Sequence, residues 1–176
     1  MKIVKYLQHY LILSICDFME DNDELKSKIE SIKKCDFKEK VKFLNNLKIE
    51  FGSRVVDEVD SLVKKDTIAQ WQDIANSEGD NNINKLVDIL WEQMCKSAGF
   101  KFTVEKLEKG TQMKVSYCPL VDAAKELKAT DWGYHFYCLS DYSIVEGFNS
   151  NIGFRRTKTL MEGCDCCDHF YFMKKK

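Results

Sequence analysis

Three short islands of the chain carry thiols, carboxylates and an imidazole at intervals that could build one reactive centre: Cys118-Pro119, Cys138-x-x-Asp141 and Gly163-x-x-x-Cys167-Asp168-His169. Five of the eight cysteines (Cys118, Cys138, Cys164, Cys166 and Cys167) fall in the last third of the sequence, together with His135 and His169. Cys118 precedes Pro119 at a predicted helix start. Unpaired N–H groups and the positive end of the helix dipole favour an anion there, so this thiol is expected to ionise more easily than a free one. Cys138 and Asp141 are three apart on a predicted helix and share a face, with His135 one turn earlier. In the last predicted strand Cys167 and His169 leave one face of the sheet, and Asp168, Phe170 and Phe172 leave the other. The two phenylalanines read as core, which turns Cys167 and His169 towards a cleft or towards solvent. Cys164, Cys166 and Cys167 also form a Cys-x-Cys-Cys run of the kind that holds a soft metal such as zinc, with Cys118, Cys138 or His169 needed to close the set. Arg155 and Arg156 sit where a strand could aim one guanidinium into the same cleft, in a fork that matches a carboxylate. Cys16 and Cys95 lie in apolar stripes and read as small buried hydrophobes.

These groups need a scaffold, and the chain is long enough to supply one. Its 176 residues fit a single domain with a real core, residues 1–99 as a helical layer and 100–176 as a sheet and two helices carrying the site. With 44% hydrophobic and 31% charged residues and one proline, there is little room for a disordered linker. A net charge of −1 offers no footprint for nucleic acid. The segment Met1–Glu20 imitates a lipoprotein signal, but Gln8 and His9 interrupt the apolar run and bulky Ile15 precedes Cys16. The clean run is also shorter than the ~18 residues a spanning helix needs. The expectation is a cytoplasmic protein with reduced cysteines and no membrane partner.

The hydrophobic period divides the chain near Gly99. Before it, helical stripes run over Lys2–Met19, then Val41, Leu44, Leu47, Phe51, Val55, Val59 and Leu62, as one helix or two broken near Gly52, and then Ile68, Trp71, Ile74 and Ala75. Asn82 is placed to cap a further helix through Leu86, Leu90, Trp91 and Cys95, with Gly99 as its left-handed stop. After it the period becomes two. Phe100, Phe102 and Val104 and then Met113, Val115 and Tyr117 flank a turn at Glu108-Lys109-Gly110, which is a hairpin. Pro119 opens one helix and Asp131 is placed to cap a second. A strand from Ile152 through Arg156 then turns at Glu162-Gly163 into Cys167–Met173. The fold expected is α+β: a helical N-terminal layer packed on a four-stranded antiparallel sheet of β-β-α-α-β-β order. No phosphate-cradling glycine loop, dinucleotide fingerprint, Gly-x-Ser-x-Gly elbow or His-Glu-x-x-His occurs, which disfavours nucleotide and cofactor chemistry.

Cys118-Pro119-Leu120 with its Ala-Ala-Lys-Glu-Leu helix, Cys138-Leu-Ser-Asp141, Gly147-Phe148-Asn149, residues 154–160 and Gly163-Cys-Asp-Cys-Cys167-Asp168-His169 together resemble the L-2-amino-thiazoline-4-carboxylic acid hydrolase family. The resemblance spans Tyr117 to Phe172, and Cys164 and Cys166 stand outside its pattern. It implies hydrolysis of a cyclic amidine at the carbon between ring nitrogen and sulfur, giving an N-carbamoyl cysteine. The roles it suggests are Cys118 or Cys167 as nucleophile, with Cys138 beside them, His169 as base, Asp141 orienting a partner or activating water, and Arg156 on a carboxylate. No cofactor is expected unless zinc binds. The partner is a small-molecule substrate, with a homo-oligomer left open. The competing reading is a non-enzymatic small-molecule or zinc-binding module built from the same residues.

Overall fold

The computed structural model describes residues 23–29, 31 and 36–175. The expected helix over Lys2–Met19, and Cys16 with it, lies outside these residues. The chain divides into two compact units, residues 1–59 and 60–176. In the first, residues 23–29 are helical and α1 spans Phe37–Phe51. The Asp36 carboxylate caps α1 by accepting from the Glu39 N–H at 2.9 Å, and Gly52 ends it at a φ of +68°. The stripe Val41, Leu44, Leu47 and Phe51 is the buried face of α1, and Leu25 and Ile29 before it are buried as well.

Helix α2 runs unbroken over Arg54–Glu78, so the short stripe around Trp71 is the end of this helix and not a separate one. Its Trp71 and Ala75 enter the core of the second unit. Asn82 caps α3 as expected, accepting from the Lys85 N–H at 3.0 Å. α3 is α-helical only over Ile83–Val87 and continues as wider π-helical turns over Asp88–Cys95, before Gly99 stops it at a φ of +90°. Strands β1 (Lys101–Leu107) and β2 (Gly110–Tyr117) form the expected hairpin. Three helical segments follow it where two were expected. They are α4 (Pro119–Glu126), α5 (Thr130–Gly133, running on as π-helical turns over Tyr134–Cys138) and α6 (Ser140–Phe148). Asp131 lies in the first turn of α5 instead of capping it.

The last two strands are β3 (Ile152–Arg155) and β4 (Cys167–Met173), and the four make one antiparallel sheet in the order β1-β2-β4-β3. The fold is thus α+β. The register puts Thr111, Met113 and Val115 opposite Tyr171, His169 and Cys167, and these six form the buried face. This inverts one expectation: the core face of β4 is Cys167, His169 and Tyr171, while Phe170 and Phe172 stack on each other, half-buried, on the far face. Both faces of β4 carry aromatic rings, so alternation alone does not say which is inner. The inner face closes on Leu86, Leu90 and Trp91 of α3, Trp71 of α2 and Ile144 and Phe148 of α6. Gly147 allows α6 to lie against α2, because a Cβ there would sit 2.6 Å from the Ile68 carbonyl oxygen. No helix among the described residues is long and apolar enough to cross a membrane.

Candidate functional site

The inner face of the sheet and the helices over it enclose a cavity of about 350 Å³ within the second unit. The three islands meet there: Cys118, Cys138, Asp141, Arg156, Cys167 and His169 all line it. They come from the β2–α4 junction, from the end of the π-helical turns and the start of α6, and from the loop and strand that close the sheet. Most of the remaining wall is apolar, including Leu90, Trp91, Phe136 and Met161.

Asp141 is the hub. Its Oδ2 accepts from Arg156 Nη1 and faces His169 Nε2 at 3.2 Å. The same Nη1 donates to the Cys138 carbonyl at 3.0 Å. The Arg156 side chain is only 3% exposed and is flanked by the Tyr134 and Tyr142 rings at 5.8 Å. Arg156 is therefore not the solvated strand arginine that composition alone suggests. It neutralises a partly buried carboxylate, and both of these bonds use Nη1.

His169 is 4% exposed and held between the Phe154 ring, stacked at 5.7 Å, and the Trp91 indole at 5.0 Å. Trp91 is itself fixed by its Nε1–H donating to the Tyr171 hydroxyl at 3.1 Å. A carboxylate can only accept, so Nε2 is the donor of that contact, and Nδ1 is a buried nitrogen without a hydrogen-bond partner among the described residues. An acceptor left buried and unsatisfied is costly as structure. The carboxylate orients the imidazole as the orienting acid of a covalent hydrolase does, while among the described residues no thiol is hydrogen-bonded to Nδ1.

Four thiols line the cavity, and all are held in the neutral form by burial. Burial pushes Cys95 up to about 12 and Cys167 up to about 11. It raises Cys138 as well, with the Asp141 charge adding to the effect. For Cys118 burial also wins, although the Val121 and Leu120 N–H groups at the α4 start pull the other way. The expected easy ionisation of Cys118 is thereby corrected: the helix terminus acts on it, but desolvation outweighs the dipole. The Cys167 sulfur accepts a hydrogen bond from the Leu160 N–H at 3.2 Å.

Several expectations change. Cys95 read as a buried hydrophobe, yet it is half-buried in the cavity wall. Both π-helical stretches end on a cavity cysteine, Cys95 and Cys138, an irregularity that helical periodicity cannot reveal. His135 does not pair with Cys138; its Nδ1 lies 2.7 Å from Asp60 Oδ1. Cys164 and Cys166 are not among the cavity residues, and the Cys166 thiol donates to Asp165 at 3.6 Å. Among the described residues no three His, Cys, Asp or Glu side chains come together as a metal-binding group, so Cys164, Cys166 and Cys167 do not form a ready zinc set. Asp168 is structural: it accepts from the Thr157 and Lys158 N–H groups at 2.8 and 2.6 Å and pins the loop that leads Arg156 out of the sheet.

The sequence pattern that defines the L-2-amino-thiazoline-4-carboxylic acid hydrolases matches residues 40–171. The chain belongs to this hydrolase family. The match takes in every cavity residue of this family member as well as most of its helical N-terminal part. Comparison with curated proteins finds no significant match. Among solved structures, the chain is similar to a trafficking protein particle complex subunit 3 from Naegleria fowleri covalently bound to palmitic acid. The two share 9% identity over 88% of this chain and 97% of that one, with a TM-score of 0.48, a likeness too distant to bear on function.

Proposed function

We propose that the protein opens a cyclic amidine such as L-2-amino-thiazoline-4-carboxylate to an N-carbamoyl cysteine by thiol attack in this cavity. The observation that carries the reading is the meeting of four thiols with a carboxylate-oriented imidazole whose Nδ1 has no partner among the described residues. Cys118 is the nucleophile of choice, because it stands at the N-terminus of α4, where the backbone N–H groups and the helix dipole oppose the cost of its ionisation. Its sulfur bonds to the ring carbon between nitrogen and sulfur while the thiol proton passes to His169 Nδ1. The ring C–S bond breaks, and the departing thiolate takes that proton. This leaves the substrate attached to Cys118 as an isothiourea. Water, deprotonated by the same Nδ1, adds to that carbon; collapse of the adduct forms the carbonyl as the remaining hydroxyl proton moves to the former ring nitrogen, and expels the Cys118 sulfur, which recovers the proton held on Nδ1. Asp141 stabilises the imidazolium formed at each transfer, and the Arg156 guanidinium takes the substrate carboxylate. Cys138 and Cys167 complete the wall around the sulfur-bearing edge of the ring.

The neutral state of the thiols favours a second reading, a binding module that encloses a small ligand without turnover. Assaying ring opening with the wild-type protein and with Cys118→Ala, Cys138→Ala and Cys167→Ala separates the two. Turnover lost in Cys118→Ala and kept in part in the other two fits the mechanism. Full activity in all three ends the thiol route, and no turnover of any cyclic amidine by the wild-type protein leaves the binding module.

A further inference from the structure

Strand β1 is an edge of the sheet, seven residues long and, among the described residues, bonded to β2 on one side only. Six of its seven residues are exposed, so its outer row of backbone N–H and C=O groups is a template for another strand. Val104, on the same face as Met113 and Val115, is 40% exposed and lies beside Phe102, which packs edge-on against Trp91 at 5.3 Å. Among the described residues the apolar inner face of the sheet therefore runs out to this edge without being closed.

We propose that β1 pairs antiparallel with β1 of a second copy of the chain, making one continuous sheet across a two-fold axis centred on Thr103. A two-fold axis perpendicular to the sheet keeps inner faces on the same side, so it must pass through a residue and not between two. Centred on Val104, the strand would set Phe102 against Lys106 and Lys101 against Leu107. Centred on Glu105, it would set Val104 against Lys106 and Thr103 against Leu107. Centred on Thr103, it sets Lys101 against Glu105 twice and Phe102 against Val104 twice. This register matches opposite charges on the outer face and extends the apolar inner face across the axis. Cross-strand pairs of these types contribute about 0.2–1 kcal/mol each, and one strand edge buries far less than a standard interface of about 1,600 Å². The dimer is accordingly weak and concentration-dependent.

Sedimentation velocity on the full chain over a wide concentration range reads the association directly. The wild-type mass is expected to rise from monomer towards dimer. Lys101→Glu alone and Glu105→Lys alone each place two like-charge pairs across the axis and should weaken the dimer by about tenfold or more. The swap Lys101→Glu/Glu105→Lys restores both pairs and should restore the wild-type constant. All three residues of the outer-face pattern are exposed, and circular dichroism checks that each variant is folded. A wild-type protein that stays monomeric, single variants that associate like the wild type, or a folded double variant that stays monomeric would each overturn the proposal.

Discussion

Replacing Asp141 by Asn keeps the shape of the hub and removes its charge. Arg156, 3% exposed, then holds a guanidinium with no counter-ion, and His169 faces an amide instead of a carboxylate. Breaking a buried ion pair from one side costs about 3–5 kcal/mol, mostly the penalty of the stranded charge. Asp141 is 17% exposed at the cavity wall, so the lower end, about 3 kcal/mol, is expected. Trp71, Trp91 and Trp132 all lie in residues 60–176, so tryptophan fluorescence during urea unfolding reports the unit that holds the site. At a slope of about 2 kcal/mol per molar urea, the midpoint should fall by roughly 1.5 M. Adding Arg156→Met removes the stranded charge, so the double variant should be more stable than the sum of the single losses implies, by about 2 kcal/mol. Strictly additive losses, or an Asn variant within about 0.5 kcal/mol of wild type, would refute the buried-hub reasoning.

Other outcomes follow from the same geometry. Tyr171→Phe strands the Trp91 indole N–H and should cost about 1–3 kcal/mol in the same unfolding assay, while Trp91→Phe/Tyr171→Phe removes both partners and should lose less hydrogen-bond energy than truncating one alone suggests. Gly147→Ala drives a methyl into the Ile68 backbone and should cost about 1–3 kcal/mol or more, read as a lower thermal midpoint. The raised Cys167 pKa means that the folded chain prefers the neutral thiol. Its contribution is intact below the ordinary value of 9.0 and is lost as pH rises to about 11, a total of about 3 kcal/mol; Cys167→Ala should reduce the alkaline slope of stability by up to about 1.4 kcal/mol per pH unit in that window. Asp141→Asn should also lower kcat by about 10³-fold or more, since the amide no longer holds His169 in the tautomer with Nδ1 free.

The sequence carried the parts of this architecture that depend on local rules. Asn82, Gly99, the turn before Gly110 and Pro119 each mark a boundary through backbone chemistry that acts within a few residues, and each boundary is where the structure has it. The three islands were legible as one cluster because their residue types are rare and each sits at an element end. What was hidden depends on packing. The face of β4 that turns inward is decided by the helices above it, since rings alternate on both sides. The π-helical turns that bring Cys95 and Cys138 to the cavity leave no mark in an apolar stripe. The pairing of Arg156 with Asp141, and of His135 with Asp60, joins residues that only the folded chain makes neighbours. The burial that holds Cys118 neutral is likewise a property of the closed cavity and not of its helix start.

In the proposed reaction one thiol of this cavity carries the opened substrate. Acid-quenching the protein during turnover of 2-amino-thiazoline-4-carboxylate and mapping intact and peptide masses detects that adduct. A mass gain equal to the whole substrate, located on Cys118 and absent in Cys118→Ser, is the expected result. Turnover with no adduct on any cysteine, persisting in Cys118→Ser, would contradict it.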